Sequence, residues 1–205
     1  MNITHFYHIY ADGQWKDPVR EHVIALRQSE LIYNLDNIFI GIVGSNDNIK
    51  SVKKFLNTCG VDYILVAEEE TGWEQVTMNK LRDFAHENDG WIFYAHSKGS
   101  SDPSRINIAW RKSMTYYNVI NWKEATSYLD EYDTVGTHWV TAPQDGKTFW
   151  GGTFWWATTD YLKTLPPIGM ENRHRAEDWI GITKTAKVYD MNPGWPAFHL
   201  FKTSW

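Results

Sequence analysis

Three short stretches of the sequence hold residue types that could do chemistry. The first is His96-Ser97-Lys98-Gly99, with Arg105 and Arg111 close behind. An imidazole and an ammonium at the end of an apolar run could hold a diphosphate and stabilise its departure electrostatically. The second is Trp150-Gly151-Gly152-Thr153-Phe154-Trp155-Trp156. Paired glycines let a ligand approach the backbone closely, and tryptophan faces can stack on a sugar. The same residues would also make a tight turn inside an aromatic core. The third is Arg175-Ala176-Glu177-Asp178-Trp179. A carboxylate here could deprotonate a hydroxyl as a general base. An acidic pair at a helix start also suits the helix dipole with no further role.

The elements that must position these residues can be read in order. Residues 3–10 alternate and form a strand, closed by Ala11-Asp12-Gly13. A helical face follows over 19–33. Residues 38–43 are near-continuously apolar, as a strand covered on both faces would be. A helix runs from the loop at 44–47 to Cys59-Gly60. Residues 63–67 give a third strand, 74–87 a third helix, and 91–95 a fourth strand. Strand and helix alternate at a spacing that predicts βαβ crossovers and a mostly parallel sheet. In such a sheet ligands bind at the carboxyl ends of the strands, where His96 to Gly99 fall. Beyond them the pattern predicts helices over 106–120 and 122–132 and a strand over 133–141. A glycine turn then leads into an aromatic strand at 149–157. Short helices over 160–165 and from 173 precede an aromatic, loop-rich tail, 188–205. No internal repeat or linker interrupts the 205 residues, so a single domain, 1–205, is expected.

Composition narrows the function. The chain is 42% hydrophobic and 22% charged, ordinary for a globular protein. Twelve Trp, eleven Tyr and nine Phe exceed what a core of this size needs and suit sites for sugars or flat ligands. The net charge of −5 argues against broad, non-specific nucleic-acid binding. The lone cysteine, Cys59, leaves no intrachain disulfide and fits a reducing compartment. With no secretory leader and no apolar run long enough to span a membrane, a cytoplasmic location is expected. There is no glycine-rich dinucleotide fingerprint, phosphate-binding P-loop or G-x-S-x-G elbow.

Taken in order, the motifs resemble a group of small GT-A-like, nucleotide-diphospho-sugar glycosyltransferases found in polysaccharide synthesis and in bacteriophages. The matching residues are Tyr94, His96, Ser97, Lys98 and Gly99; Gly151, Gly152, Phe154, Trp155, Trp156 and Ala157; and Glu177, Trp179, Ile180 and Gly181. The resemblance covers the central and C-terminal parts of the chain, whereas the first half joins it only through its βαβ pattern. It implies an α/β fold with a mostly parallel central sheet flanked by helices. It also implies transfer of a sugar from a UDP-linked donor to a hydroxyl of a glycan, protein or modified base, with inversion favoured. Asp178 or Glu177 would act as base. Tyr10 and Asp12 would hold the nucleoside, with help from 44–47. His96, Ser97, Lys98, Gly99 and Arg105 would hold the diphosphate, and Gly151, Gly152, Trp155 and Trp156 the acceptor sugar.

One departure stands out. Such enzymes commonly carry an Asp-x-Asp that binds Mn or Mg at the end of the fourth strand, and this sequence has none. A cationic His96–Lys98 pair could take the metal's place. The weaker alternative keeps a metal on His96 and His199. Two other functions compete: a non-catalytic carbohydrate-binding protein on the same fold, and a sugar transferase acting on nucleic acid. The second would use Arg105, Arg111 and Lys112 or Arg173-His174-Arg175 against phosphates.

Overall fold

The computed structural model describes residues 1–142 and 146–193. Four strands and three helices alternate first: β1 (Ile3–Tyr10), α1 (Lys16–Gln28), β2 (Asn37–Val43), α2 (Asn46–Thr58), β3 (Ile64–Glu69), α3 (Gln75–Glu87) and β4 (Trp91–His96). All pairings among these strands are parallel. The later chain adds α4 (Arg105–Thr115), a π-helical turn (Tyr116–Ile120), α5 (Trp122–Ser127), β5 (Thr134–Gly136), β6 (Trp139–Ala142) and β7 (Lys147–Trp150). It ends with β8 (Trp155–Thr158), α6 (Thr159–Lys163), α7 (Arg175–Trp179) and β9 (Val188–Asp190). The seven-stranded sheet has the order β3-β2-β1-β4-β8-β5-β9, and β6 pairs with β7 separately. β8 runs antiparallel to both β4 and β5. This is the mostly parallel α/β sheet flanked by helices that the sequence predicts.

Strand periodicity explains the two cores. Side chains alternate across a sheet, so His5, Tyr7 and Ile9 of β1 leave one face while Phe6 and His8 leave the other. The first face carries Phe93 and Ala95 of β4 and packs on α1, α2 and α4 through Val23, Val52 and Met114. The second carries Ile92 and Tyr94 and packs on α3, α6 and α7 through Met78, Leu162 and Trp179. Burial on both faces accounts for the continuous apolar runs of β2 and β4. β3 lies at the sheet edge, where Glu68 and Glu69 prolong it into solvent.

Four expectations are corrected. The helix expected over 19–33 begins at Lys16 and ends at Gln28, followed by a 3-10 turn, Leu31–Tyr33. The one expected over 122–132 stops at Ser127. The strand expected over 133–141 is two strands in different sheets, parted where His138 takes a left-handed φ of 69°. The largest correction concerns Trp155 and Trp156. Both are fully buried. Trp155 stacks on Tyr94 at 5.2 Å between ring centres, and Trp156 on Phe93 at 4.9 Å. They lock β8 onto β4 from both faces, each stack adding about 0.5–1.5 kcal/mol beyond its buried area. Neither presents a face to a sugar.

Candidate functional site

Parallel strands aim their carboxyl ends, and the loops that follow, at one rim of the sheet. Along that rim β1, β4, the start of α3 and the segment before α7 enclose a cavity of about 600 Å³. β1 ends in the Ala11-Asp12-Gly13 loop, which lies directly against the loop after β4. The Gln14 N–H donates to the Ser100 carbonyl at 2.7 Å, and a Cβ on Gly13 would sit 2.1 Å from that oxygen. Only glycine permits this approach. The Tyr10 N–H donates to Ser97 Oγ at 3.0 Å, so Ser97 ties the two loops together while it lines the cavity.

Lys98 brings a positive charge to the cavity, as does Arg173 across it. Its ammonium lies 4.1 Å from the ring centre of Trp110, and burial lowers its pKa while Glu177 and Glu74 act to raise it. Arg111 is nearby but committed. Its Nε and Nη2 pair with Glu21, and its Nη1 donates to the Lys98 carbonyl at 2.7 Å, which fixes the turn. Arg105, expected at the diphosphate, is exposed and is not part of the cavity wall. Gly99 and Tyr10 do line the cavity.

His96 is not the cation its neighbourhood suggested. Burial, and then the charge of Lys98, hold its pKa down to about 3. Its Nε2 lies 2.9 Å from the Gly152 carbonyl oxygen, and its Nδ1 lies 3.2 Å from Glu74 Oε1. Gly152 can aim that carbonyl because its φ is 86° and a Cβ there would meet Met114 Sδ at 2.6 Å. Gly152 thus acts through His96, and Gly151 is held by its N–H to the His138 carbonyl.

The metal alternative does not fit these residues. His96 is engaged at both nitrogens and an ammonium follows two residues later. Among the described residues no group of three or more His, Cys, Asp or Glu is placed to hold an ion. His199 lies outside the described residues.

Glu177 and Asp178 part company. Adjacent helix residues point about 100° apart. Glu177 lines the cavity with Lys98 and His96. Asp178 lines a different cavity of about 290 Å³ and pairs with Lys147 at 2.6 Å. Asp12, expected at the nucleoside, turns away from the cavity. Its Oδ1 accepts from the Ser45 N–H at 2.7 Å, from Ser45 Oγ and from Asn48 Nδ2, and these bonds lower its pKa. It anchors the β1 loop to the start of α2.

Sequence reading missed the part played by α3. Glu74 enters the cavity just before the helix, and burial raises its pKa to about 7. Trp73 lines the cavity beside it and is 45% exposed. Three polar side chains on consecutive turns of α3 hold the chain that leads to α7. Gln75 Nε2 donates to the Asn172 carbonyl, Asn79 Nδ2 to the Ile168 carbonyl and Arg82 Nε to the Leu165 carbonyl, at 2.6, 3.1 and 2.8 Å. These bonds set Arg173 and Glu177 opposite Glu74. The available signal was position: a Gly-Trp-Glu following a parallel strand sits at the ligand-binding rim.

The chain belongs to the family described as a domain of unknown function (DUF8361), whose model matches residues 6–193. No curated protein matches it by sequence. Among solved structures it resembles a protein assigned as a nucleotide-diphospho-sugar transferase from Desulfovibrio desulfuricans G20. The TM-score is 0.50 and the identity 14%, over 93% of this chain and 80% of that one. It also resembles 4-diphosphocytidyl-2C-methyl-D-erythritol synthase from Anaerococcus prevotii DSM 20548, with a TM-score of 0.49 and 9% identity over 92% of this chain and 87% of that one. At 14% identity the likeness to the Desulfovibrio protein is one of fold alone, a mostly parallel α/β sheet flanked by helices.

Proposed function

We propose that this protein is a glycosyltransferase that moves a sugar from a nucleotide-diphospho-sugar, UDP-linked, to an acceptor hydroxyl. One observation supports the reading above others: the Lys98 ammonium and the Glu177 carboxylate face one cavity at the carboxyl ends of β1 and β4. In this reading Lys98 and Arg173 hold the diphosphate, while Tyr10 and Trp73 offer flat faces to the nucleoside or sugar. Glu177 takes the proton of the acceptor hydroxyl, whose oxygen attacks the anomeric carbon from the side opposite the departing diphosphate. That attack inverts the anomeric centre. Asp178, turned to the second cavity, has no part in it.

The test pairs binding with turnover. UDP should raise the melting temperature of the wild type, and a panel of nucleotide sugars should reveal hydrolysis or transfer. Lys98→Ala should weaken UDP binding by about 10-fold or more, the loss expected for a charge-assisted contact. Stabilisation by free glycans alone would replace this reading with a carbohydrate-binding one. DNA binding with a steep salt dependence would point to a nucleic-acid acceptor.

A further inference from the structure

Tyr94 and His96 are two residues apart on β4, so both project to the face that α3 covers. Glu74 meets both. Tyr94 Oη donates to Glu74 Oε2 at 3.1 Å, and Glu74 Oε1 lies 3.2 Å from His96 Nδ1. The other imidazole nitrogen lies 2.9 Å from the Gly152 carbonyl oxygen. A carbonyl can only accept, so His96 Nε2 carries a proton. In the neutral ring Nδ1 is then a bare acceptor aimed at a carboxylate oxygen. Two acceptors at that distance repel unless a proton lies between them. The contact therefore requires one proton held in common, on the Glu74 carboxyl or on the imidazole.

Burial favours the form without separated charges, raising Glu74 to about 7 and lowering His96 to about 3. Other groups facing the pair are Lys98 and Arg173, which favour the carboxylate, the Tyr94 hydroxyl and Glu177. His8 on β1 also acts on it and is itself kept neutral by burial.

We propose that Glu74 and His96 form a proton-donating pair that protonates the phosphate oxygen leaving the sugar. This rests on the reading of the protein as a nucleotide-sugar transferase. The bond between the anomeric carbon and that oxygen breaks, and its electron pair goes to the diphosphate. The proton passes from the pair to the same oxygen, leaving the Glu74 carboxylate beside neutral His96. The acceptor oxygen bonds to the anomeric carbon, and its proton, taken by Glu177, returns through solvent to recharge the pair. Diphosphate and pair then match in acidity, since a terminal phosphate has its second pKa at about 6.

Glu74→Gln is the informative variant. Its amide oxygen still accepts from Tyr94 and its NH₂ still donates to His96 Nδ1, but it has no proton to give. Its melting temperature and UDP affinity should match the wild type, and turnover should fall by about 100-fold or more. Wild-type turnover should decline as pH rises through about 7, a limb that Glu74→Gln lacks. Tyr94→Phe, which removes a bond favouring the carboxylate, should move that limb to higher pH. Glu74→Gln turnover within about threefold of wild type, with the limb intact, overturns the proposal. If the wild type turns over no nucleotide sugar, the proposed function fails, and the shared proton is judged alone by nitrogen-15 spectra of His96. Nε2 protonated throughout, with an Nδ1 change near neutral pH that Glu74→Gln abolishes, upholds the shared proton. Spectra identical in the two proteins overturn it.

Discussion

His8 and His96 are register partners on neighbouring parallel strands, and the first turn of α3 with the residue that caps it holds both. Thr77 Oγ1 lies 2.8 Å from His8 Nδ1, and Glu74 Oε1 lies 3.2 Å from His96 Nδ1. Glu74 and Thr77 are three residues apart, one helical turn. The seating of α3 on the sheet therefore sets both imidazoles at once.

That seating depends on Gly41 of β2. A Cβ there would fall 1.9 Å from Thr77 Oγ1. Gly41→Ala should cost about 1–3 kcal/mol through overpacking and lower the melting temperature by several degrees. It should also reduce turnover, because α3 must shift away from His8. Thr77→Ala in the same protein should restore part of the stability, read by thermal denaturation of the single and double variants. Equal stability of Gly41→Ala and wild type would show that α3 is not held this tightly.

The split between Glu177 and Asp178 is tested by two amides. Glu177→Gln should lower turnover by about 100-fold or more with little change in melting temperature, as removal of a general base does. Asp178→Asn loses its ion pair with Lys147. That pair is partly exposed, so stability should change by about 1 kcal/mol at most, and turnover should stay within about threefold of wild type. The reverse order of effects would move the base to Asp178.

Acid should destabilise the fold well before its carboxylates titrate. His5, His8 and His22 are all buried, and burial lowers their pKa values, to about 4 for His5 and about 3 for His8. His5 Nε2 and His22 Nε2 lie 2.8 Å apart, which leaves no room for a proton on each. A depressed histidine stabilises the fold above its unfolded pKa of about 6.5 and loses that contribution as pH falls through the folded value. Each can contribute up to about 1.4 kcal/mol per pH unit. Glu74 runs the other way, since a raised carboxyl loses its stabilising contribution as pH rises through about 7. His96 and His138 are depressed as well, to about 3 and about 4, so these five histidines outweigh the raised carboxyls of Glu74 and Asp190, and the melting temperature should drop steadily from pH 6.5 to pH 4. A flat profile over that range would mean that these imidazoles take up protons in the folded state.

The sheet was largely legible in the sequence and half of the cavity was not. β2 and β4 announce themselves because burial on both faces demands unbroken apolar runs. Lys98 and Ser97 follow from where β4 must end. Trp155 and Trp156 misled because a tryptophan pair beside glycines looks alike whether it packs on a neighbouring strand or awaits a sugar. Only the pairing of β8 with β4 decides, and that contact spans about sixty residues of chain. Glu74 escaped for the opposite reason. An acid at a helix start has an adequate local explanation in the dipole, and its partners Tyr94 and His96 are set by strand alternation. Glu177 and Asp178 could be narrowed to one by helix geometry, but the direction of α7 depends on the carbonyls that Gln75, Asn79 and Arg82 grasp.

The placement of β8 bears on how the chain comes off the ribosome. The first ninety-six residues complete four parallel strands with their helices, yet β4 is then an open edge. Its partner is made only at Trp155–Thr158. An unpaired, apolar strand edge is a template for pairing with other chains, and domains built N-terminal first expose such edges during synthesis. A nascent chain stalled between Gly99 and Trp155 is thus the form of this protein most in need of a chaperone. The insertion of β8 that ends this vulnerability also brings the Gly152 carbonyl to His96, so the chain leaves its sticky intermediate and fixes that imidazole in one step.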